Sequence, residues 1–259
     1  MIRTLRELWR YRELAWILVE KELKLRYRRS VLGFAWTMLN PLFTMVILTL
    51  VFSQAMRIPV DKFPVFLLSA LLPWNFFSQS LTGGSLSIVH NESLLKNVYT
   101  PRAIYPIALV ASHLVNLVLA LVPLVIVMIW QRVPLTWSLV ALPLCLVILG
   151  VFTTGVVLAF SAWTVFFRDL RQILEVALQA IFYLIPIIYP LTVIPQKYLW
   201  AFHWNPLVHM IFPFRSIFLD GTWPNATSLT IGAACAAVAF LGGLAVFRRH
   251  EAFFLHYLS

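Results

Sequence analysis

Residues 103–131 read AIYPIALVASHLVNLVLALVPLVIVMIWQ, 29 positions without an Asp, Glu, Lys or Arg. A helix needs about 20 mainly apolar residues to cross the hydrocarbon core of a bilayer, so this stretch predicts one crossing. Five more uncharged stretches surround it: Ser30–Met56, Phe63–Asn91, Val133–Phe167, Val176–Gln196 and Gly221–Phe247, of 27, 29, 35, 21 and 27 residues. None is long enough for two crossings and a turn. The expectation is an all-α integral membrane chain with six transmembrane helices. They cover roughly Phe34–Ser53, Phe63–Ser80, Ile104–Ile129, Ser138–Thr164, a stretch from Asp169 to just before Pro186, and Leu229–Phe247. A seventh gap, Tyr198–Phe214, has 17 residues and is interrupted by Pro206 and Pro213. It reads as a broken or re-entrant segment of an excursion over residues 191–223, because irregular backbone is tolerated at membrane depth only where protein or a water-filled cavity satisfies it.

The charge balance supports the same class. Hydrophobic residues make up 61% of the chain and charged ones 12%, against about 25% charged in a soluble domain. The net charge of +10 could suggest nucleic acid, but its distribution argues otherwise. With six spans and the N-terminus inside, 15 of the 20 Lys and Arg fall in cytoplasmic segments, leaving Arg57, Lys62, Arg132, Lys197 and Arg215 outside. That is the positive-inside rule, and it puts both termini in the cytoplasm. Cys145 and Cys235 both fall in predicted spans and imply neither a disulfide framework nor a metal site. No small-residue cleavage site follows the first apolar run, so the N-terminus does not read as a cleavable signal. No internal repeat is evident. The chain reads as one domain, 1–259, with a cytoplasmic or interfacial helix over 1–30, a six-span core over 31–247 and a cytoplasmic tail over 248–259.

In the N-terminal segment Trp16, Val19, Leu23 and Tyr27 share a narrow helical face, while Leu18 and Leu25 fall nearly opposite. Glu20 with Lys24, and Glu22 with Arg26, are i,i+4 pairs with the acid first, the better orientation. Two forms fit: an amphipathic helix lying in the membrane interface, or a cytoplasmic helix packed on a partner. In the connection over 84–102, Asn91 can cap a short helix, Glu92 suits its first turn and Pro101 stops it. Leu94, Leu95, Val98 and Tyr99 form a small apolar patch. That patch fits either a docking helix or a turn packed on the membrane surface. In the tight connection Phe167-Arg168-Asp169-Leu170-Arg171, Asp169 can cap the fifth helix.

Several chemistries are missing from the pattern. Neither Gly83-Gly84 nor Gly242-Gly243 fits a glycine-rich phosphate cradle, and there is no His-Glu-x-x-His. Glu175 is the one acid that falls inside a span pattern. Intramembrane enzymes and proton-coupled carriers need buried ionisable groups, so neither class is favoured. The chain is instead rich in aromatics, with 20 Phe, 10 Trp and 8 Tyr. Trp36, Trp74, Phe77, Trp163, Tyr183 and Tyr189 are candidates to line a path, since aromatic faces contact sugars and lipids without gripping one group. Interfacial belts and packing use the same residues.

Several motifs in order carry a resemblance. Lys24-Leu25-Arg26-Tyr27-Arg28-Arg29-Ser30-Val31-Leu32-Gly33-Phe34-Ala35-Trp36, followed by Asn40-Pro41-Leu42, resembles the N-terminal signature of type-2 ABC exporter permeases. Leu72-Pro73-Trp74-Asn75-Phe76-Phe77, Asn91 to Tyr105, Phe166-Phe167-Arg168-Asp169-Leu170, Pro186-Ile187-Ile188-Tyr189 and Trp204-Asn205-Pro206-Leu207 resemble further landmarks. The subgroup is the one that exports bacterial O-antigen, capsule and wall teichoic acid. The resemblance spans about residues 15–247. It implies a homodimer in the bacterial inner membrane with two copies of a separate cytoplasmic ATPase, which would bind the ATP and Mg, so that no cofactor belongs to this chain. It further implies a coupling helix carrying Asn91, Glu92, Leu94, Leu95, Lys96 and Val98, and short re-entrant gate helices at the outer face. The implied substrate is a lipid-linked polysaccharide. Arg26, Arg28 and Arg29 stand at the depth of its pyrophosphate, where guanidinium groups can donate paired hydrogen bonds; fixing topology and holding anionic lipid are alternative roles. A type-2 permease for a drug, haem or a lipid is a second reading. A membrane-bound glycosyl- or phosphotransferase is disfavoured by the absence of an Asp-rich metal motif.

Overall fold

The computed structural model describes residues 10–27, 32–55, 60–97 and 100–257. Arg28, Arg29 and Val98 lie outside them, as does the Arg26 side chain. The described residues are predominantly helical and contain no strand. The main helices are α1 (Arg12–Tyr27), α2 (Trp36–Leu48), α3 (Phe63–Ser85), α4 (Glu92–Asn97), α5 (Ile104–Trp130), α6 (Leu142–Phe166), α7 (Leu170–Leu184), α8 (Leu199–Trp204), α9 (Pro206–Arg215) and α10 (Ala226–His250). Four stretches are long and apolar enough to cross a membrane: Trp36–Ser53, Ile104–Trp130, Trp137–Phe166 and Ala226–Phe253. They match the first, third, fourth and sixth predicted spans.

The other two predicted spans correspond to α3 and α7, which fall short for different reasons. At about 1.5 Å per residue, the 23 residues of α3 reach roughly 34 Å, enough to cross. Asn75, Ser78, Gln79 and Thr82 dilute its apolar character. These four lie among the five residues of the helix that are not buried; the other 18 of its 23 are buried, against α2, α5, α6, α7 and α9. The 15 residues of α7 reach only about 22 Å, less than the roughly 30 Å hydrocarbon core.

The helices are held by two apolar clusters. The larger is centred on α3 and runs through α5, α6 and α9, with Leu67, Leu124, Leu149 and Phe214 fully enclosed. The smaller joins α1, the segment after α3, the start of α5 and the ends of α6 and α10 through Leu18, Ile88, Leu95, Ile104, Leu158 and Phe247. The most extensive helix contact is α6 with α10. Gly155 on α6 and Gly243 on α10 bring the two backbones together there, with no room at either position for a Cβ. Lipid gives helices no hydrophobic drive to associate, and small residues at a crossing supply close packing in its place.

Three local expectations are corrected. The protein-facing stripe of α1 and its approach is Tyr11, Leu14, Ala15, Leu18, Val19 and Leu23, so of the expected face Val19 and Leu23 pack inward and Leu18 joins them. Leu18 is 7% exposed whereas Trp16 is 66% exposed, because the face that docks on α5 is centred near Leu18 and leaves Trp16 outside it. Asp169 does not cap α7. Its backbone is already helical, at φ −68° and ψ −15°, and its carboxylate makes no cap hydrogen bond. Asn91 does not cap α4 with its side chain either. Its Nδ2 donates to the Ser87 carbonyl at 2.8 Å, and its Oδ1 accepts from Lys21 Nζ at 3.2 Å. The side-chain caps formed are those of Asn205 on α9 and Asn225 on α10, each accepting from the backbone N–H two residues on.

Candidate functional site

One face of the central helix is polar. Asn75, Ser78, Gln79 and Thr82 recur at intervals of three and four, the spacing that aligns side chains along a helix. Two clefts open on this stripe, and Gln79 borders both. The first, about 570 Å³, lies between α2, α3 and α5 and is lined by Trp36, Thr37, Asn40, Thr44, His113 and Asn116 besides Asn75. The second, about 400 Å³, lies between α3 and α7 and includes Trp74, Glu175, Gln179 and Tyr183. Hydroxyls on the stripe bond back along the helix, Thr82 Oγ1 to the Ser78 carbonyl at 2.9 Å and Ser78 Oγ to the Asn75 carbonyl at 3.4 Å. His113 Nδ1 lies 3.1 Å from Ser80 Oγ and ties α5 to α3. Glu175 accepts from Arg171 Nε at 3.0 Å, one turn away on α7. Side-chain amides both donate and accept, so the walls can exchange hydrogen bonds with a hydroxyl-rich chain, and among the described residues no Lys or Arg lines them.

The six aromatics read from the sequence do not form one lining. Trp36 borders the first cleft, and Trp74 and Tyr183 border the second. Phe77 faces the core, 5.8 Å from the Phe152 ring, and lines neither. Tyr189 sits in the loop after α7 and donates its hydroxyl to the Tyr183 carbonyl at 2.8 Å. Trp163 belongs to a separate cleft at the end of α6, with Phe166, Phe167, Arg168 and Tyr257. The Trp74 ring lies 5.9 Å from that of Phe182 and braces α3 against α7, and it lies 6.0 Å from that of Phe77 on its own helix.

Sequence reasoning missed two features. The first is the stripe itself, with Asn40, Asn75, Gln79 and Asn116. Its signal was there to find, since polar residues recur at helical spacing inside otherwise apolar stretches. The second is Arg215, which the charge pattern gave simply as an outer-face charge. Its guanidinium is buried, donates to the Pro186 and Ile187 carbonyls at 3.0 and 3.1 Å, and lies 3.8 Å over the Phe66 ring. It fixes the loop after α7 to α9 and α3. Partial burial raises the nearby Asp220 carboxyl above its usual range, against the opposing pull of Arg215.

The sequence model of the ABC-2 type transporter family matches residues 13–219. The chain belongs to that family. It is 37% identical over 257 residues to the O-antigen export system permease protein RfbA of Myxococcus xanthus, covering 97% of this chain and 98% of that protein. It is 31% identical to the protein of the same name from Klebsiella pneumoniae, over 90% of each chain. The polysialic acid transport protein KpsM of Escherichia coli is 28% identical, over 89% of this chain and 91% of its own length. The resemblance read from the motifs is borne out, and the four long apolar helices make this ABC-2 family member a multi-pass membrane protein.

The family match runs from α1 through the turn after α9 and so takes in both clefts and α4. At α4 the apolar patch divides. Leu95 is 8% exposed and packs into the smaller cluster, whereas Leu94 is 38% exposed. Glu92 and Lys96 form an i,i+4 pair at 2.6 Å. The outward surface is therefore Ser93, Leu94, Lys96 and Asn97, and Lys21 connects α1 to its base.

Proposed function

We propose that this chain is the membrane subunit of an exporter that carries a lipid-linked polysaccharide from the cytoplasmic side across the bacterial inner membrane. A separate ATPase supplies the energy and binds the ATP and Mg. The observation that carries this reading is the uncharged polar stripe on the most enclosed helix, opening into clefts beneath α2 and α7. A hydroxyl-rich chain needs hydrogen-bond partners at membrane depth, because an unpaired buried hydroxyl costs several kcal/mol on the order of magnitude seen in apolar solvents. The printed functions of the relatives, O-antigen export and polysialic acid transport, support a polysaccharide over a drug or haem.

In this reading the chain is one permease domain with six crossings, α3 included and the short α7 completed by the buried stretch 185–188 that follows it, and both termini in the cytoplasm. Two copies pair through the sparsely covered α2 and α7, whose buried residues are few: Pro41 and Met45 on one, Leu174 and Leu178 on the other. The α8–α9 segment closes the outer face as re-entrant helices. The segment Asn91–Val98 couples to the ATPase through its outward Leu94. Arg26, Arg28 and Arg29 take the anionic headgroup of the substrate lipid.

The test is surface polysaccharide in cells whose copy of the gene carries Asn75→Leu or Gln79→Leu. Both variants should insert and copurify with the ATPase, yet display less polymer per inserted complex. Wild-type display from both would remove the stripe from the path.

A further inference from the structure

The two clefts carry information about the charge of what passes. No Lys or Arg lines either of them among the described residues. Their polar groups are amides and hydroxyls, chiefly Asn40, Asn75, Ser78, Gln79, Thr82 and Gln179. The one formal charge in the lining is negative, the Glu175 carboxylate, and it is already paired with Arg171. His113 is buried against Ser80 and adds no exposed cation.

Pores that pass anions line themselves with Lys or Arg, whose charge replaces the hydration an anion gives up. An amide lining makes no such replacement. A neutral sugar gives up hydroxyl–water hydrogen bonds, which amides restore nearly one for one. A polymer with a carboxylate on each residue must also give up charge hydration in a low-dielectric passage, a much larger loss. Of the relatives named above, one transports polysialic acid, a polyanion, and the names of the O-antigen permeases leave the charge of their glycan unstated, so family membership leaves the point open. Resting on the export reading, we infer that the clefts on α3 select an uncharged polysaccharide and discriminate against a polyanionic one.

The test uses the full chain with its cognate ATPase in host cells lacking their own exporter. One host makes a lipid-linked neutral mannose polymer and the other makes polysialic acid. Surface and internal polymer are measured by immunolabelling, with and without permeabilisation. The wild-type complex should display the neutral polymer at least about tenfold more efficiently than the polyanion, a ratio equivalent to about 1.4 kcal/mol of barrier. Gln79→Arg and Gln179→Arg place a cation on the lining at positions already exposed, so either variant fits the fold. Each should narrow that ratio, and copurification with the ATPase checks that each remains assembled. Because the same ATPase serves every arm, a change between wild type and variant belongs to the clefts. Equal display of both polymers by the wild type, or an unchanged ratio in both assembled Arg variants, overturns the inference. Retention of both polymers by an assembled wild-type complex instead removes the export reading, and the inference goes with it.

Discussion

Two neighbouring glycines on α10 should respond to the same substitution in opposite directions. A Cβ built on Gly243 overlaps the carbonyl oxygen of Gly155 and lies 2.7 Å from its carbonyl carbon. Carbon atoms rest at about 3.5–4.0 Å, so Gly243→Ala must part α6 and α10 by roughly 1 Å at their crossing. What gives way is backbone, which has no rotamer to change. Overpacking of this kind costs about 1–3 kcal/mol. Gly242, one residue away, has nothing within 4 Å of the same built atom. Replacing a mid-helix Gly by Ala there gains roughly 0.5–1 kcal/mol of helix stability. The assay is thermal unfolding of the purified chain in detergent. If each kcal/mol shifts the midpoint by about 2–4 °C, as in soluble chains of similar size, Gly243→Ala should melt lower than wild type by several degrees. Gly242→Ala should melt at or above wild type. Equal midpoints for the two variants, or the reverse order, would show that the α6–α10 crossing is not held by backbone contact at Gly155.

The division of the α4 patch gives a paired test. Leu95→Asp buries a carboxylate in the smaller cluster and should lower the yield of folded protein, while Leu94→Asp should leave yield and melting unchanged and reduce ATPase copurification; the opposite assignment of the two phenotypes would reject the orientation of α4. Arg215→Lys keeps the charge but loses the fork that holds the Pro186 and Ile187 carbonyls, so it should cost about 1–3 kcal/mol and hasten proteolysis between residues 185 and 205; protease resistance equal to wild type would count against the clamp. For topology, single cysteines at Lys197 and Trp223, both exposed, should label from outside the cell, and labelling of either one only from the cytoplasm would defeat the six-crossing arrangement.

What the sequence makes legible here follows from which physical quantity each reading used. Charge-free length locates α2, α5, α6 and α10 well, because contact with lipid forbids charge whatever the neighbours are. The same measure finds α3 but not its place at the centre. Burial over most of its surface depends on partners that are far apart in the chain, and Asn75 and Gln79 look like weaknesses in a span until the clefts they open on are known. The face of α1 misleads for a related reason. Trp16 and Leu18 are equally apolar by sequence, and docking on α5 decides that Leu18 goes inward. Among the caps, Asp169 has the favoured residue type but a backbone that leaves its carboxylate nothing to cap. Asn205 and Asn225, with extended ψ of 112° and 125°, can turn back onto the helix N-terminus. Aromatic identity is the least informative signal. Phe77 and Tyr183 are both aromatic on helices beside the stripe, yet one fills the core and the other faces open space.

The distribution of contacts also separates what can move from what cannot. The helices α3, α5, α6 and α10 interlock through the two apolar clusters, the Gly155–Gly243 crossing and the close fit of Gly84 against Val157. Displacing any of them requires many side chains to repack together, and packed interiors resist that. The helix α2 rests on α3 and α5, and α7 on α3 and α6, with two buried residues apiece, and they form the outer walls of the two clefts. A small tilt of either wall changes cleft width while the scaffold stays intact. At the end of the bundle that carries α1, α4 is joined to α1 by the Lys21–Asn91 hydrogen bond and to α5, α6 and α10 by Leu95 and Ile88. A push on the outward face of α4 therefore meets the rigid scaffold first, and reaches the walls through their contacts with α3, α5 and α6. Width changes in the clefts are then rigid-body shifts of walls against a fixed post, and the polar stripe on that post keeps its hydrogen-bonding register throughout.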